Sequence, residues 1–171
     1  MRKKMLLAGL FLWGAALSVQ AQRTAYIDMQ RILDHIEEYK AAEKELDQLA
    51  AKWRQEVEQR YDEIKGLYNR YQAEQVLLSD EQRRQREEEI VAKEREAREL
   101  QKRYFGPEGE LFKRREALVR PIQERVYGAV EAYAKDRGFD FIIDISTAPH
   151  FIYYNPDYDK TEDIMNQLRR Q

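Results

Sequence analysis

Apolar residues between positions 46 and 71 fall at Leu46, Leu49, Trp53, Val57, Tyr61, Ile64, Tyr68 and Tyr71, at spacings of 3, 4, 4, 4, 3, 4 and 3. That is a one-sided helical stripe of coiled-coil width. Residues 30–78 contain no proline and a single glycine, Gly66, so the pattern predicts one long helix, bent near its start. The stripe stops at Leu77-Leu78. Ser79, followed three residues later by Gln82, makes a capping box and predicts that a new helix starts there. The returning helix carries a sparser seam, in which Ile90, Ala97, Tyr104, Leu111 and Leu118 recur every seventh residue beside Lys93, Leu100, Pro107 and Arg114. Apolar content thickens only at Val119, Ile122, Val126, Val130 and Tyr133. The base of the hairpin is therefore expected to be well packed and its outer part loose.

Gly106-Pro107-Glu108-Gly109 interrupts the return. An interior proline costs about 3 kcal/mol and a glycine about 1 kcal/mol, so the helix must kink or break there. It is not the hairpin tip. At about 1.5 Å per residue, a tip at Pro107 would leave the two arms far too unequal for their ends to meet. A tip near Ser79 gives arms of similar length and brings the chain ends together.

Those ends read as strands. Thr24-Ala25-Tyr26-Ile27-Asp28 is β-branched and aromatic. Gly138 is placed to cap the long helix in the left-handed conformation. After it, residues 139–145 alternate, with Phe139, Phe141, Ile143 and Ile145 on one face and Asp140 and Asp144 on the other, expected to be the wet one. Phe151-Ile152-Tyr153-Tyr154 reads as a third strand after a turn at 146–149. Thr161 is expected to cap a last helix with Ile164, Met165 and Leu168 facing inward.

The predicted fold is thus α+β, mostly α. A small β body (residues 22–42 and 116–171) is formed by short strands at both ends of a long antiparallel helical hairpin (43–115, tip near 79, bend at 106–109), followed by a C-terminal helix. Three short strands with two open edges make a poor independent sheet. Other copies of the chain are expected to close it.

Charge refines this picture. Of the 171 residues 36% are charged, with 30 Lys and Arg against 32 Asp and Glu and a pI near 5.9, which excludes a uniformly basic nucleic-acid binder. Arg83, Arg84 and Arg86 are followed at once by Glu87, Glu88 and Glu89, the mark of a solvated helix face rather than a phosphate patch. Glu precedes Lys or Arg by four residues at 56/60, 89/93, 94/98, 99/103, 110/114 and 116/120, each pair adding about 0.2–0.5 kcal/mol to a thinly packed helix.

Arg2, Lys3 and Lys4, the apolar run 5–17 and the small residues Val19 and Ala21 have the layout of a cleaved secretory signal, with the cut expected after Ala21. The apolar run is short for a membrane span. Residues 22–171 are then the working domain, in the periplasm or outside the cell. The 30 basic groups less Arg2, Lys3 and Lys4 leave 27 against 32 acidic, a net charge of −5.

No constellation for chemistry stands out. The chain has no cysteine and only two histidines, His35 and His150, with no metal-binding spacing, phosphate-cradling loop or nucleophile elbow. No cofactor, metal site or catalytic residue is expected. The eleven tyrosines are unusual. Trp53, Tyr61, Tyr68, Tyr71 and Tyr104 lie on or near the arm seam. Helix-to-helix packing accounts for them; the alternative is that amphipathic rings on loose arms offer adaptable contacts to unfolded chains.

Taken in order, these segments resemble the Skp/OmpH family of periplasmic chaperones, in its Bacteroidetes form. The resemblance is carried by Ala25-Tyr26-Ile27-Asp28, Leu78-Ser79-Asp80-Glu81, Phe105-Gly106-Pro107-Glu108-Gly109-Glu110-Leu111, Pro121-Ile122-Gln123-Glu124-Arg125-Val126-Tyr127 and Gly138-Phe139-Asp140-Phe141-Ile142-Ile143-Asp144. It implies a homotrimer whose three hairpins enclose a cavity holding unfolded outer-membrane β-barrel proteins, without ATP. Better-known members are strongly basic. This chain is not, so no lipopolysaccharide site is carried over, and weak contact with lipopolysaccharide or a membrane surface finds no support in the net charge. The expected mechanism is confinement through many weak contacts, with Gly106, Pro107 and Gly109 as hinge candidates for widening the cage and Trp53, Tyr61, Tyr68, Tyr71 and Tyr104 as client-contact candidates. The competing reading is a structural coiled-coil spacer or adaptor of the cell envelope; a spacer would carry a denser seam than residues 90–111 provide.

Overall fold

The computed structural model describes residues 22–147 and 151–170. The expected signal segment, His150 and part of the expected turn at 146–149 lie outside them. Strand β1 (Thr24–Ile27) leads into a short helix α1 (Met29–Leu33) and then the long helix α2 (Glu37–Glu74). The chain returns through α3 (Asp80–Phe105) and α4 (Glu110–Arg137), crosses strand β2 (Phe141–Asp144), makes a 3-10 turn (Pro156–Tyr158) and ends in α5 (Thr161–Leu168).

The hairpin turns where the capping chemistry requires. Ser79 Oγ accepts from the Gln82 N–H at 3.3 Å and Gln82 Oε1 accepts from the Ser79 N–H at 3.0 Å. Gly138 ends α4 at φ 66°, ψ 42°, a left-handed conformation that only glycine adopts without cost.

Two helices appear where the spacing predicts one. Asp34 caps the end of α1 and Ile36 opens α2 with extended backbone. At that corner Ile32, Leu33 and Ile36 enter one core with Ile164 and Met165 of α5. Likewise the Gly-Pro segment breaks the returning helix outright into α3 and α4.

The sheet is smaller than expected. β1 and β2 pair in parallel, Thr24 opposite Phe141 and Ile27 opposite Asp144. Residues 151–154 form no strand. The far edge of β1 is instead met by a single bridge from Tyr26 to Asp159, with Lys160 N–H donating to Tyr26 O at 2.9 Å. The faces of β2 are also reversed: Phe141 and Ile143 are exposed, whereas Ile142 packs on the core and Asp144 turns inward. Asp144 does so because Oδ1 accepts from the Met29 N–H at 3.2 Å, closing the first turn of α1.

Thr161 is not the cap of α5 but its first residue, fully buried, accepting from the Asp28 N–H through Oγ1 at 3.0 Å. Asp159 Oδ1 takes the Thr161 N–H at 2.8 Å.

Packing is concentrated at the base. One cluster joins Ile27, Ile32, Leu33 and Leu46 to Val119, Ile122, Val126, Ile164 and Met165, side chains worth roughly 1.5–3 kcal/mol each when fully buried. In the arm only Ile64, Ile90 and Ala97 form a buried cluster, with Leu67 and Tyr71 against it. Of the six helical charge pairs anticipated, Glu94–Arg98 and Glu116–Arg120 form, at 3.4 and 4.0 Å. Others choose nearer partners: Arg114 reaches across to Glu45 at 2.8 Å and Lys93 pairs with Glu96 at 3.0 Å.

Candidate functional site

The surface of the arm is the part of the molecule that core packing does not consume. With so thin a seam, the arm's helices are joined largely by aromatic and polar contacts. Trp53 of α2 stacks on Tyr104 of α3, ring centroids 4.8 Å apart and planes 6° from parallel. Tyr104 OH donates to Glu56 Oε2 at 2.9 Å, and that bond is the main cause pushing its phenol above the ordinary range. Tyr61 OH donates to Gln101 Oε1 at 3.2 Å. Nearer the tip Tyr71 OH donates to Glu87, which raises the Tyr71 phenol in the same way.

Four of the five rings singled out in the sequence thus make contacts across the hairpin. Tyr68 is different: it is half exposed and turns its ring to solvent. Other exposed apolar side chains escaped the sequence reading. Val76 and Leu77 stand out at the tip, 84% and 83% exposed, and Val91, Phe112 and Tyr127 project from the returning helices. Their signal was available: Val91, Phe112 and Tyr127 are large apolar residues that fall off the seam of the returning helices, and Val76 and Leu77 lie just beyond the end of α2.

The bend at 106–109 is built by backbone crowding. A Cβ on Gly106 would lie 2.4 Å from Lys102 O, and one on Gly109 would lie 2.7 Å from Tyr104 O. Both glycines have negative φ, so what they supply is space. Opposite the bend, α2 is unbroken.

A second open surface lies on the body. Phe141 and Ile143 stand beside Thr24 and Tyr26 on one face of the sheet. Phe151, Ile152 and Tyr153 are exposed, and the ring of Tyr154 lies 5.2 Å from that of Tyr26 and 5.4 Å from that of Phe151. Exposed apolar area gathered in this way marks an interaction surface.

Among the described residues no group of three or more His, Cys, Asp or Glu side chains could hold a metal ion, and no helix is long and apolar enough to cross a membrane. A packed body with open apolar surface, bearing a long and thinly packed arm, defines an interaction protein whose means are surface and reach. The chain belongs to the OmpH-like outer membrane protein family, whose model matches residues 23–168. Among solved structures it is similar to an OmpH-like outer membrane chaperone from Caulobacter crescentus CB15, with a TM-score of 0.63 at 12% identity, covering 88% of this chain and 85% of that one. Comparison with curated proteins finds no match. Family membership supports a general role as a periplasmic chaperone of outer-membrane proteins.

Proposed function

We propose that this protein is an ATP-independent periplasmic holdase, exported by cleavage after Ala21, that receives unfolded outer-membrane β-barrel proteins between the arms of a homotrimer and keeps them from aggregating. The observation that carries the reading is the contrast in packing. The body buries a continuous core, while the arm above it buries only Ala50, Val57, Ile64, Ile90 and Ala97 among its apolar side chains and leaves Tyr68, Val76, Leu77 and Val91 in water. A spacer would bury such groups in a permanent partner or within its own seam. On a holdase they are weak contacts, repeated on each arm, that gain strength by number.

The open sheet face at Phe141 and Ile143 and the unpaired edge of β2 support self-association, since a two-stranded sheet is marginal alone. Residues 106–109 are the proposed flexing point of the arm. Because α2 passes the bend without a break, flexing there must be shared by α2 as gentle curvature rather than a sharp fold.

The test is light scattering of a urea-unfolded outer-membrane β-barrel diluted into buffer with and without residues 22–171, no nucleotide present. Aggregation suppressed near one oligomer per client is the expected outcome. Unchanged aggregation, with the protein folded and oligomeric, would discard the holdase and promote the envelope adaptor.

A further inference from the structure

The arm has two unlike flanks. Tyr61 and Tyr68 are seven residues apart on α2 and share one of them. The Tyr61–Gln101 and Tyr71–Glu87 bonds identify the α3 residues facing that side. Glu87, Glu94 and Gln101 follow at seven-residue steps, and Val91, four after Glu87 and three before Glu94, lies among them. This flank therefore exposes Tyr61 (40%), Tyr68 (49%) and Val91 (61%). The other flank is a groove of about 500 Å³ lined by Glu56, Arg60, Lys93, Glu96, Glu99 and Arg103, with a half-buried Leu100 and with Tyr104, whose ring is covered by Trp53 and whose OH donates to Glu56. No exposed large apolar side chain lies in that groove.

Resting on the holdase reading, we infer that the Tyr61–Tyr68–Val91 flank is the client-binding face of the arm, and that its ligand is an extended, unfolded polypeptide segment rather than a folded helix. A docking helix needs a continuous apolar stripe at three- and four-residue steps. Here the apolar groups are islands, separated by Lys65, Glu94 and Gln101. An extended chain brings unpaired backbone N–H and C=O groups with apolar side chains every second residue. The tyrosine hydroxyls and the Gln101 amide can bond that backbone in either sense, and the rings and Val91 cover its apolar side chains. Charge does not tell the flanks apart: Lys65 and Arg98 stand beside Glu87 and Glu94 on this one, and on the far one Arg60, Arg86 and Lys93 pair with Glu63, Glu89 and Glu96. The distinction rests on the exposed apolar groups, which leave a segment of either sign acceptable here.

The chain has no cysteine, so single-cysteine variants can carry a photoactivated benzophenone. Tyr68→Cys and Val91→Cys report on the proposed face, Glu63→Cys and Glu99→Cys on the far flank. Mixed with an unfolded outer-membrane β-barrel and irradiated, the first pair is expected to cross-link to client at several-fold higher yield than the second, because the apolar side chains left on that face still hold the segment beside the label. Aggregation suppression by each labelled variant is read in parallel. Suppression retained with equal yields on both flanks, or with the higher yield on the far flank, overturns the assignment and leaves the holdase standing. No suppression by any variant or by the unlabelled chain, with no cross-link, overturns the holdase and the assignment with it.

Discussion

Tyr133 shows how one side chain ties the returning helix to the end of the chain. It is 9% exposed, its OH donates to Asp163 Oδ2 of α5 at 2.7 Å, and its ring lies 6.0 Å from that of Phe139. Burial, then the bond to Asp163, pushes its phenol up to about 12, against the opposing pull of Arg137 and Arg23. An unfolded chain loses that proton near 10. The folded state alone holds it between the two values, so its contribution to stability is whole below pH 10 and drains away as pH rises toward 12. Tyr133→Phe is expected to cost about 1 kcal/mol at pH 7, where the hydrogen bond is intact, and progressively less across pH 10–12. Urea midpoints of both proteins at pH 7, 10 and 11 check this. Tyr26, Tyr71 and Tyr104 also have raised phenols, but they decline alike in both proteins and cancel in the difference. A gap between wild type and variant that does not narrow with pH would detach Tyr133 from the alkaline loss.

At the scale of elements, the break between α3 and α4 separates two kinds of glycine. Gly109 is hemmed in by Tyr104 O, Arg103 O and Gly106 N, all within 2.9 Å of where a Cβ would stand, whereas nothing lies within 4 Å of such a Cβ on Gly66 in the middle of α2. Gly109→Ala must push backbone aside and is expected to destabilise by roughly 1–3 kcal/mol. Gly66→Ala is expected to stabilise by about 0.5–1 kcal/mol, because the unfolded chain loses freedom that α2 never uses. Trp53, the only tryptophan after residue 21 and stacked on Tyr104 just before the bend, reports both transitions by fluorescence. Equal shifts for the two variants would mean that the crowding at Gly109 relaxes freely.

The same elements show what the sequence could and could not reveal. Ser79, Gly138 and the Gly-Pro segment act through intrinsic backbone preferences, so their roles are legible locally. The stripe located Trp53 and Tyr104 but not their stacking, since axial register across a hairpin is set jointly by tip and bend. Alternation along residues 139–145 marked two faces but pointed to the wrong one as wet; the choice was decided by the Met29 N–H, which draws Asp144 inward. A strand exists only with a ladder partner, so the apolar run at 151–154 could not announce that in a single chain it would stay irregular.

For the whole molecule, the question is what covers the open face of the sheet. Phe141 is 56% and Ile143 38% exposed, Phe151 52% and Ile152 fully so, around a strand edge with unpaired backbone groups. A chain that leaves this much apolar area beside a free edge invites pairing with another chain. In the proposed trimer that chain is a second copy, and residues 151–154 then have a ladder available to them. Phe141→Asp combined with Ile143→Asp places two charges on the face while leaving Ile142 and Asp144, which serve the core, untouched. The double variant is expected to fall from oligomer to single chain in light scattering, to keep its helical circular dichroism, and to lose aggregation suppression, because one arm alone encloses nothing. Tyr68→Ser, on the arm, should leave the mass unchanged. An unchanged mass in the double variant would move the interface elsewhere on the body, and a wild type that is itself a single chain would remove the cage while leaving the arm's exposed rings to be explained by one-to-one binding.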